Sequence, residues 1–198
     1  MSGIAELMIN LGCIVTGSDI NETDITENLK NLGAKIYKGH SRDNISDSDM
    51  VIYSSAITKD NPELRAAFEK NILTIRRAEM LGEIMRMKYS IGVAGTHGKT
   101  TTTSMIGKVL TEGGFDPTLI IGGKVRSLKS NVKLGEGEFL VAEADEFDRT
   151  FLKLIPTFAV ITTIESEHLD CYKNLEDIKD AFVEFVNKVP FYGTVTVC

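Results

Sequence analysis

Short apolar runs alternate with stretches of helical spacing from one end of the chain to the other. This is the rhythm of βαβ units that build a parallel sheet. The apolar runs predict strands near residues 13–17, 34–37, 50–54, 72–75, 90–94, 118–121, 138–143, 157–162 and 194–198. Between them the spacing predicts helices over 3–11, 25–32, 61–70, 77–87, 99–112 and 175–187. In the fourth helix Ala78, Leu81 and Met85 recur on one face as a core stripe, and methionine there is packing rather than ligand chemistry.

Lys88-Tyr89-Ser90 separates that amphipathic helix from the next strand and sets a domain boundary at 88/89. Residues 1–88 have the order of a dinucleotide-type, Rossmann-like α/β domain. They open on Ser2-Gly3-Ile4-Ala5-Glu6, a capped helix start with no strand before it. The missing first strand is central in such a sheet, so its neighbours are expected to carry unpaired backbone groups. Residues 89–198 read as a second α/β domain that stops on the strand Thr194-Val195-Thr196-Val197-Cys198. Both ends therefore read as cut.

Composition narrows the class. With 42% hydrophobic and 25% charged residues the chain has a globular balance. No apolar run approaches the ~20 residues of a membrane span, and the start lacks the basic-then-apolar order of a secretion signal. A cytoplasmic protein is expected, with no membrane partner. A net charge of −6 argues against a nucleic-acid surface, so any anionic ligand needs a local site. Cys13, Cys171 and Cys198 are odd in number and far apart, as reduced thiols are rather than a disulfide or zinc framework.

That local site is visible at Ile91-Gly92-Val93-Ala94-Gly95-Thr96-His97-Gly98-Lys99-Thr100-Thr101: a buried strand, a glycine turn and a helix start with one lysine. Glycines let the backbone approach phosphate oxygens, the helix N-terminus adds partial positive charge, and Lys99 adds a full one. Thr100 stands where a hydroxyl ligates magnesium. A Walker A loop needs glycine at 93, where this chain has Val93, so the shorter G-T-H-G-K-T-T form is present. Gly95 to Thr101 are the candidate nucleotide-binding residues.

Two further strands deliver polar groups at their C-terminal ends, the edge where open α/β sheets bind ligands. The run ending in Val141-Ala142-Glu143-Ala144-Asp145-Glu146 places carboxylates there, and Glu143, which directly ends the apolar run, is the assigned magnesium ligand, with Asp145 and Glu146 as alternatives. After Phe158–Thr162 comes His168 among acids, a candidate second metal ligand that neighbouring carboxylates can orient. His97 is a candidate for orienting the phosphate loop. In the first domain Ser18 and Asp19 end one predicted strand, Ser54 and Ser55 another, and His40 sits in the turn Gly39-His40-Ser41. These five are the candidate substrate contacts, although strand-end polar residues are often simple turn formers.

The segments GTHGKTTTT, VAEADEFD and TTIESEHLDCY together resemble the ATP-binding domain of the Mur ligases. MSGIAELMINLG, VTGSDI, YKGH, YSSAI, DNPELRAA, RRAEMLGEIMR and NKVPFYG follow in the family's order, so the resemblance spans nearly the whole chain. Within the family it is nearest to members that join L-alanine to UDP-N-acetylmuramate in peptidoglycan synthesis. It implies ATP and Mg2+ as cofactors and those two small molecules as substrates. The implied reaction activates the lactyl carboxylate as an acyl phosphate, which the amine attacks. Lys99, Glu143 and His168 would be catalytic, with Thr100, Glu143 and His168 on metal. Residues 1–88 would hold the UDP-sugar and residues 89–198 the ATP. A chain of this extent would lack the amino-acid domain, bind ATP-Mg weakly or not at all and form no amide bond alone.

Departures from the family pattern fall at Phe147 in Ala144–Asp148 (ADESD in relatives), Thr163 (an asparagine in TNIE) and Glu167 (an aspartate). Competing readings are another Mur-type or folylpolyglutamate-type ligase, a small-molecule kinase, which Val93 disfavours, and a non-catalytic nucleotide-binding remnant. A nicotinamide dehydrogenase lacks its G-x-G-x-x-G fingerprint in residues 1–88.

Overall fold

The structure is a computed structural model that describes residues 1–122, 132–147, 149–167 and 171–198. The chain divides into two compact units, Met1–Met80 and Leu81–Cys198.

The first unit runs α1 (Ser2–Asn10), β1 (Thr16–Asp19), α2 (Asp24–Asn31), β2 (Lys35–Lys38), a 3-10 turn (Arg42–Ile45), β3 (Met50–Tyr53), α3 (Pro62–Glu69) and β4 (Leu73–Arg76). α2 starts at a Thr23/Thr26 capping box. α3 starts at Asn61, whose side chain accepts from two backbone N–H groups, with Pro62 in the first turn. β1 pairs in parallel with β2, and β3 with β4. Among the described residues no ladder joins the two pairs. Ile45, Ala66 and Ala67, with Val51 and Ile72 against them, form a small core under α3.

Two expectations for this unit are corrected. Ser2 is the first helical residue rather than a cap: Met1 occupies the cap position without a side-chain bond, and its carbonyl accepts from both Ile4 and Ala5. The strand expected at 13–17 lies at Thr16–Asp19, because the ladder follows the partner β2 and not the apolar run; Ile14 is 98% exposed.

α4 (Arg77–Arg86) leads into the second unit. Met80, Ile84 and Met85 are its buried positions, while Ala78 and Leu81 of the expected stripe are half-buried. Then follow β5 (Tyr89–Ala94), α5 (Lys99–Glu112), β6 (Thr118–Ile120), β7 (Val132–Lys133), β8 (Phe139–Ala144), a 3-10 turn (Thr150–Lys153), β9 (Phe158–Ile161), α6 (Leu175–Val186) and β10 (Thr194–Val197).

One six-stranded sheet in the order β10-β9-β5-β8-β6-β7 results. It is parallel except for the short β7, a strand the pattern did not predict because it pairs through only two residues. β5 is central, flanked by β8 and β9, so the chain winds to either side of it. That reversal is the switch point at which open α/β sheets form a ligand crevice. Val93, Leu119 and Val141 are buried beneath α5, packed by Ile106 and Leu110 from the helix. Phe151, Phe182 and Phe185 fill the space under α6, with ring centroids 5.3 to 5.4 Å apart. Gly107 permits α5 to approach the sheet, since a Cβ there would lie 2.6 Å from Leu119.

Candidate functional site

The loop between β5 and α5 has the backbone its sequence demands. Gly95 (φ +130°) and Gly98 (φ +81°) occupy conformations that L side chains rarely adopt. Gly98 stands at the cap position of α5 with no side-chain capping bond, and the first turn holds no acidic residue. α2, α3 and α6 each have both a side-chain cap and an acidic first turn. The first N–H groups of α5 thus keep the unbalanced partial charge that suits an anion.

β9 fixes this loop from one side. The Thr162 hydroxyl donates to the His97 carbonyl at 2.5 Å and lies 3.2 Å from the Ala94 carbonyl. Thr96 N–H donates to the Thr163 carbonyl (2.8 Å) and His97 N–H to the Thr163 hydroxyl (3.1 Å). Thr96, itself buried, accepts from Glu165 N–H at 2.9 Å. The His97 ring lies 3.3 Å from Glu167 and 3.7 Å from Glu165. Thr163 and Glu167 therefore both contact the loop between β5 and α5.

β8 supplies the other side. Register pairs Val93 with Glu143 and Ala94 with Ala144, so the acidic strand end stands beside the start of the loop. The three carboxylates there have three different fates. Asp145 is exposed and accepts from Phe147 N–H at 3.2 Å, a turn-forming contact. Glu146 is 2% exposed, and its Oε2 lies 2.8 Å from the Lys99 ammonium. Lys99 also donates to the carbonyls of Gly95 (2.6 Å) and Thr96 (3.4 Å). Glu143 differs from both: its Oε1 is buried with no hydrogen-bond partner among the described residues. Phe147 is half-exposed.

A buried carboxylate oxygen without a donor costs stability unless something positive occupies its lone pairs. The Glu143 oxygen, on the strand that pairs with β5 at Val93, therefore could take a divalent ion together with phosphate oxygens. Among the described residues no group of three or more His, Cys, Asp or Glu side chains forms a complete cage. Thr100 is the hydroxyl that could share such an ion with phosphate and water. Thr100 is exposed in the first turn of α5. His168, the second expected metal ligand, lies outside the described residues. One result is expected from the unpartnered oxygen. Glu143→Leu should raise the denaturation free energy in metal-free buffer by about 1–2 kcal/mol, and abolish any magnesium-dependent rise in melting temperature. A loss of stability without metal would show that Oε1 is satisfied in solution.

In the first unit, the substrate candidates divide into two kinds. Ser18 and His40 meet: the Ser18 hydroxyl lies 2.9 Å from His40 Nδ1 and donates to Glu63 Oε2 at 2.6 Å. Glu63 also accepts from the Asn44 amide (2.6 Å) and lies 3.3 Å from His40 Nδ1. Asp19, Ser54 and Ser55 are not part of this group. Asp19 is exposed and accepts from Asn21 N–H, Ser54 accepts from Ala56 N–H across its turn, and Ser55 is exposed. No sequence pattern singles out Glu63. It reaches Ser18 over 45 positions through α3, a contact no local pattern encodes. Thr162 and the Lys99–Glu146 pair were missed for the same reason.

The chain is similar to known proteins in both sequence and fold. A UDP-N-acetylmuramate–L-alanine ligase of Geotalea uraniireducens is 58% identical over 198 residues, which is all of this chain and 43% of that relative. The chain thus spans less than half the length of the curated relatives it matches. The UDP-N-acetylmuramate-alanine ligase of Thermotoga maritima superposes with a TM-score of 0.83 at 34% identity, covering 99% of this chain and 46% of that one. A UDP-N-acetylmuramate:L-alanyl-gamma-D-glutamyl-meso-diaminopimelate ligase from Neisseria meningitides gives 0.86 at 27% identity, with 100% and 67% covered. Residues 1–89 match the Mur ligase family, catalytic domain, and residues 93–198 the Mur ligase middle domain. On its fold, its phosphate loop and these matches, the chain belongs to the Mur ligase family.

Proposed function

We propose that the chain carries the UDP-sugar-binding and ATP-binding parts of a cytoplasmic ligase that joins L-alanine to UDP-N-acetylmuramate, a step of peptidoglycan precursor synthesis. The observation that carries this reading is the uncapped α5 N-terminus with Lys99 in its first turn and the unpartnered Glu143 oxygen beside the same loop. The two similar solved structures differ in the amine that their names give, yet have nearly equal TM-scores, so the fold does not choose between amines. The 58% identity to an L-alanine ligase favours L-alanine.

In this reading residues 1–88 bind the UDP-sugar, with Ser18 and His40 as contacts, and residues 89–198 bind ATP. Joining a carboxylate to a triphosphate brings two anions together, so the site must neutralise charge and hold the groups in line. A carboxylate oxygen attacks the γ-phosphorus, the bond to the β-phosphate breaks and ADP leaves. The amine then attacks the acyl carbon and phosphate departs with the bonding pair. Backbone N–H groups from Gly95 to Thr101 cradle the phosphates, and Lys99 bridges the β and γ groups. Glu143 and Thr100 would hold magnesium, which when bound supplies charge neutralisation between those phosphates.

Amide NMR titration of the 198-residue chain tests this directly, since it detects weak binding. ATP with magnesium should shift signals from Gly95 to Thr101 and at Glu143, while UDP-N-acetylmuramate should shift Ser18 and His40. Both ligands perturbing one unit only would refute the assignment. Formation of the L-alanine amide by these 198 residues alone would contradict the expectation that further chain is required.

A further inference from the structure

The Lys99 ammonium has three protons, and the loop already uses all of them: on Gly95 O, on Glu146 Oε2 and, at 3.4 Å, on Thr96 O. An arriving phosphate oxygen can replace the long contact without disturbing the other two. The direction of that third N–H is then set by where Glu146 stands.

Glu146 is held through its backbone. Its carbonyl accepts from the Tyr172 hydroxyl at 2.6 Å and from Arg149 N–H at 3.1 Å. Tyr172 is 2% exposed. Burial pushes its phenol up to about 12, so the hydroxyl remains a proton donor at neutral pH. Arg149 adopts a left-handed backbone (φ +60°), and its guanidinium lies 4.6 Å from the Tyr172 ring centroid. The same guanidinium meets Asp177 at 2.6 Å, in the first turn of α6, a helix anchored by the Phe182 and Phe185 stack.

We propose that Tyr172 and Arg149 form a brace that fixes Glu146 and, through it, aims the Lys99 ammonium. Both are positioning residues of the nucleotide site and touch no ligand. The proposal rests on Lys99 being the phosphate ligand, but the brace itself is testable without nucleotide.

Tyr172→Phe removes one hydroxyl and keeps the packing. In the chain treated with acetic anhydride, mass spectrometry compares acetylation at Lys99 with that at Lys108, an exposed lysine of the same helix paired with Glu112. Loss of one hydrogen bond should raise the Lys99/Lys108 ratio about fivefold. Asp177→Asn, which leaves Tyr172 in place, should raise it in the same direction and serves if Tyr172→Phe melts below the labelling temperature. An unchanged ratio in a folded variant, with only the melting temperature lowered, would reduce Tyr172 to a packing residue and overturn the brace. Nucleotide binding by the same variants is read separately. ATP-Mg that shifts signals elsewhere in the wild-type chain but not at Gly95 to Thr101 sinks the phosphate-site reading but leaves the labelling result standing.

Discussion

Replacing Lys99 with methionine is expected to cost about 3–5 kcal/mol of stability, with loss of ATP binding in the same step. The cause is the carboxylate left behind. Glu146 is 2% exposed and Lys99 15% exposed at its side chain, so the pair is shielded from water and removal of the cation takes its ion-pair partner from a buried carboxylate. A surface ion pair such as Lys108–Glu112 contributes far less, ~0–1 kcal/mol, because water screens it. Urea denaturation followed by circular dichroism measures the difference; the chain has no tryptophan to report it by fluorescence. The double variant Lys99→Met, Glu146→Leu should recover most of the lost stability, since a buried pair exchanged for apolar groups of similar size is often neutral. It should not recover ATP binding. If the single variant loses less than about 1 kcal/mol, the pair is solvated in solution and its structural role is wrong.

The second large effect is at Gly95. A methyl group there would lie 2.1 Å from the Thr162 hydroxyl and 2.9 Å from the backbone of Thr163, while the backbone at φ +130° is closed to L side chains. Strain and collision together put Gly95→Ala at about 3–5 kcal/mol. Gly98→Ala is the internal comparison. Its φ is +81° but the nearest atoms stand 3.9 Å away, so backbone strain acts alone, at about 1–2 kcal/mol. Equal losses from the two substitutions would mean that Thr162 and Thr163 yield easily and that β9 does not set the loop. The loop's shape then would come from its own glycines rather than from the clamp.

Legibility from sequence followed the range of the interaction. The helices over 99–112 and 175–187 were readable to within one residue, because caps and apolar spacing are written locally. The first strand was misplaced, because Cys13-Ile14-Val15 looks like a strand by composition while the ladder belongs to whichever residues face β2. At the site, the strand-glycine-lysine-threonine order identified the loop with no help from elsewhere. Of the three carboxylates at the end of β8, the apolar run pointed to Glu143 as the metal ligand but left Asp145 and Glu146 only as alternatives to it. Chain direction after Ala144 sends Asp145 into a turn and Glu146 onto Lys99, and leaves Glu143 with an unpartnered oxygen.

Sequence by itself determined the α/β architecture, the position of the glycine turn between β5 and α5 and the family, since each is encoded in residues that are neighbours along the chain. Tertiary structure alone decided that β5 lies between β8 and β9, that Glu146 rather than Glu143 neutralises Lys99, and that Tyr172 and Arg149 reach the same turn. Those facts depend on strand order and on contacts between distant segments, and a linear pattern carries no record of which distant segments will meet.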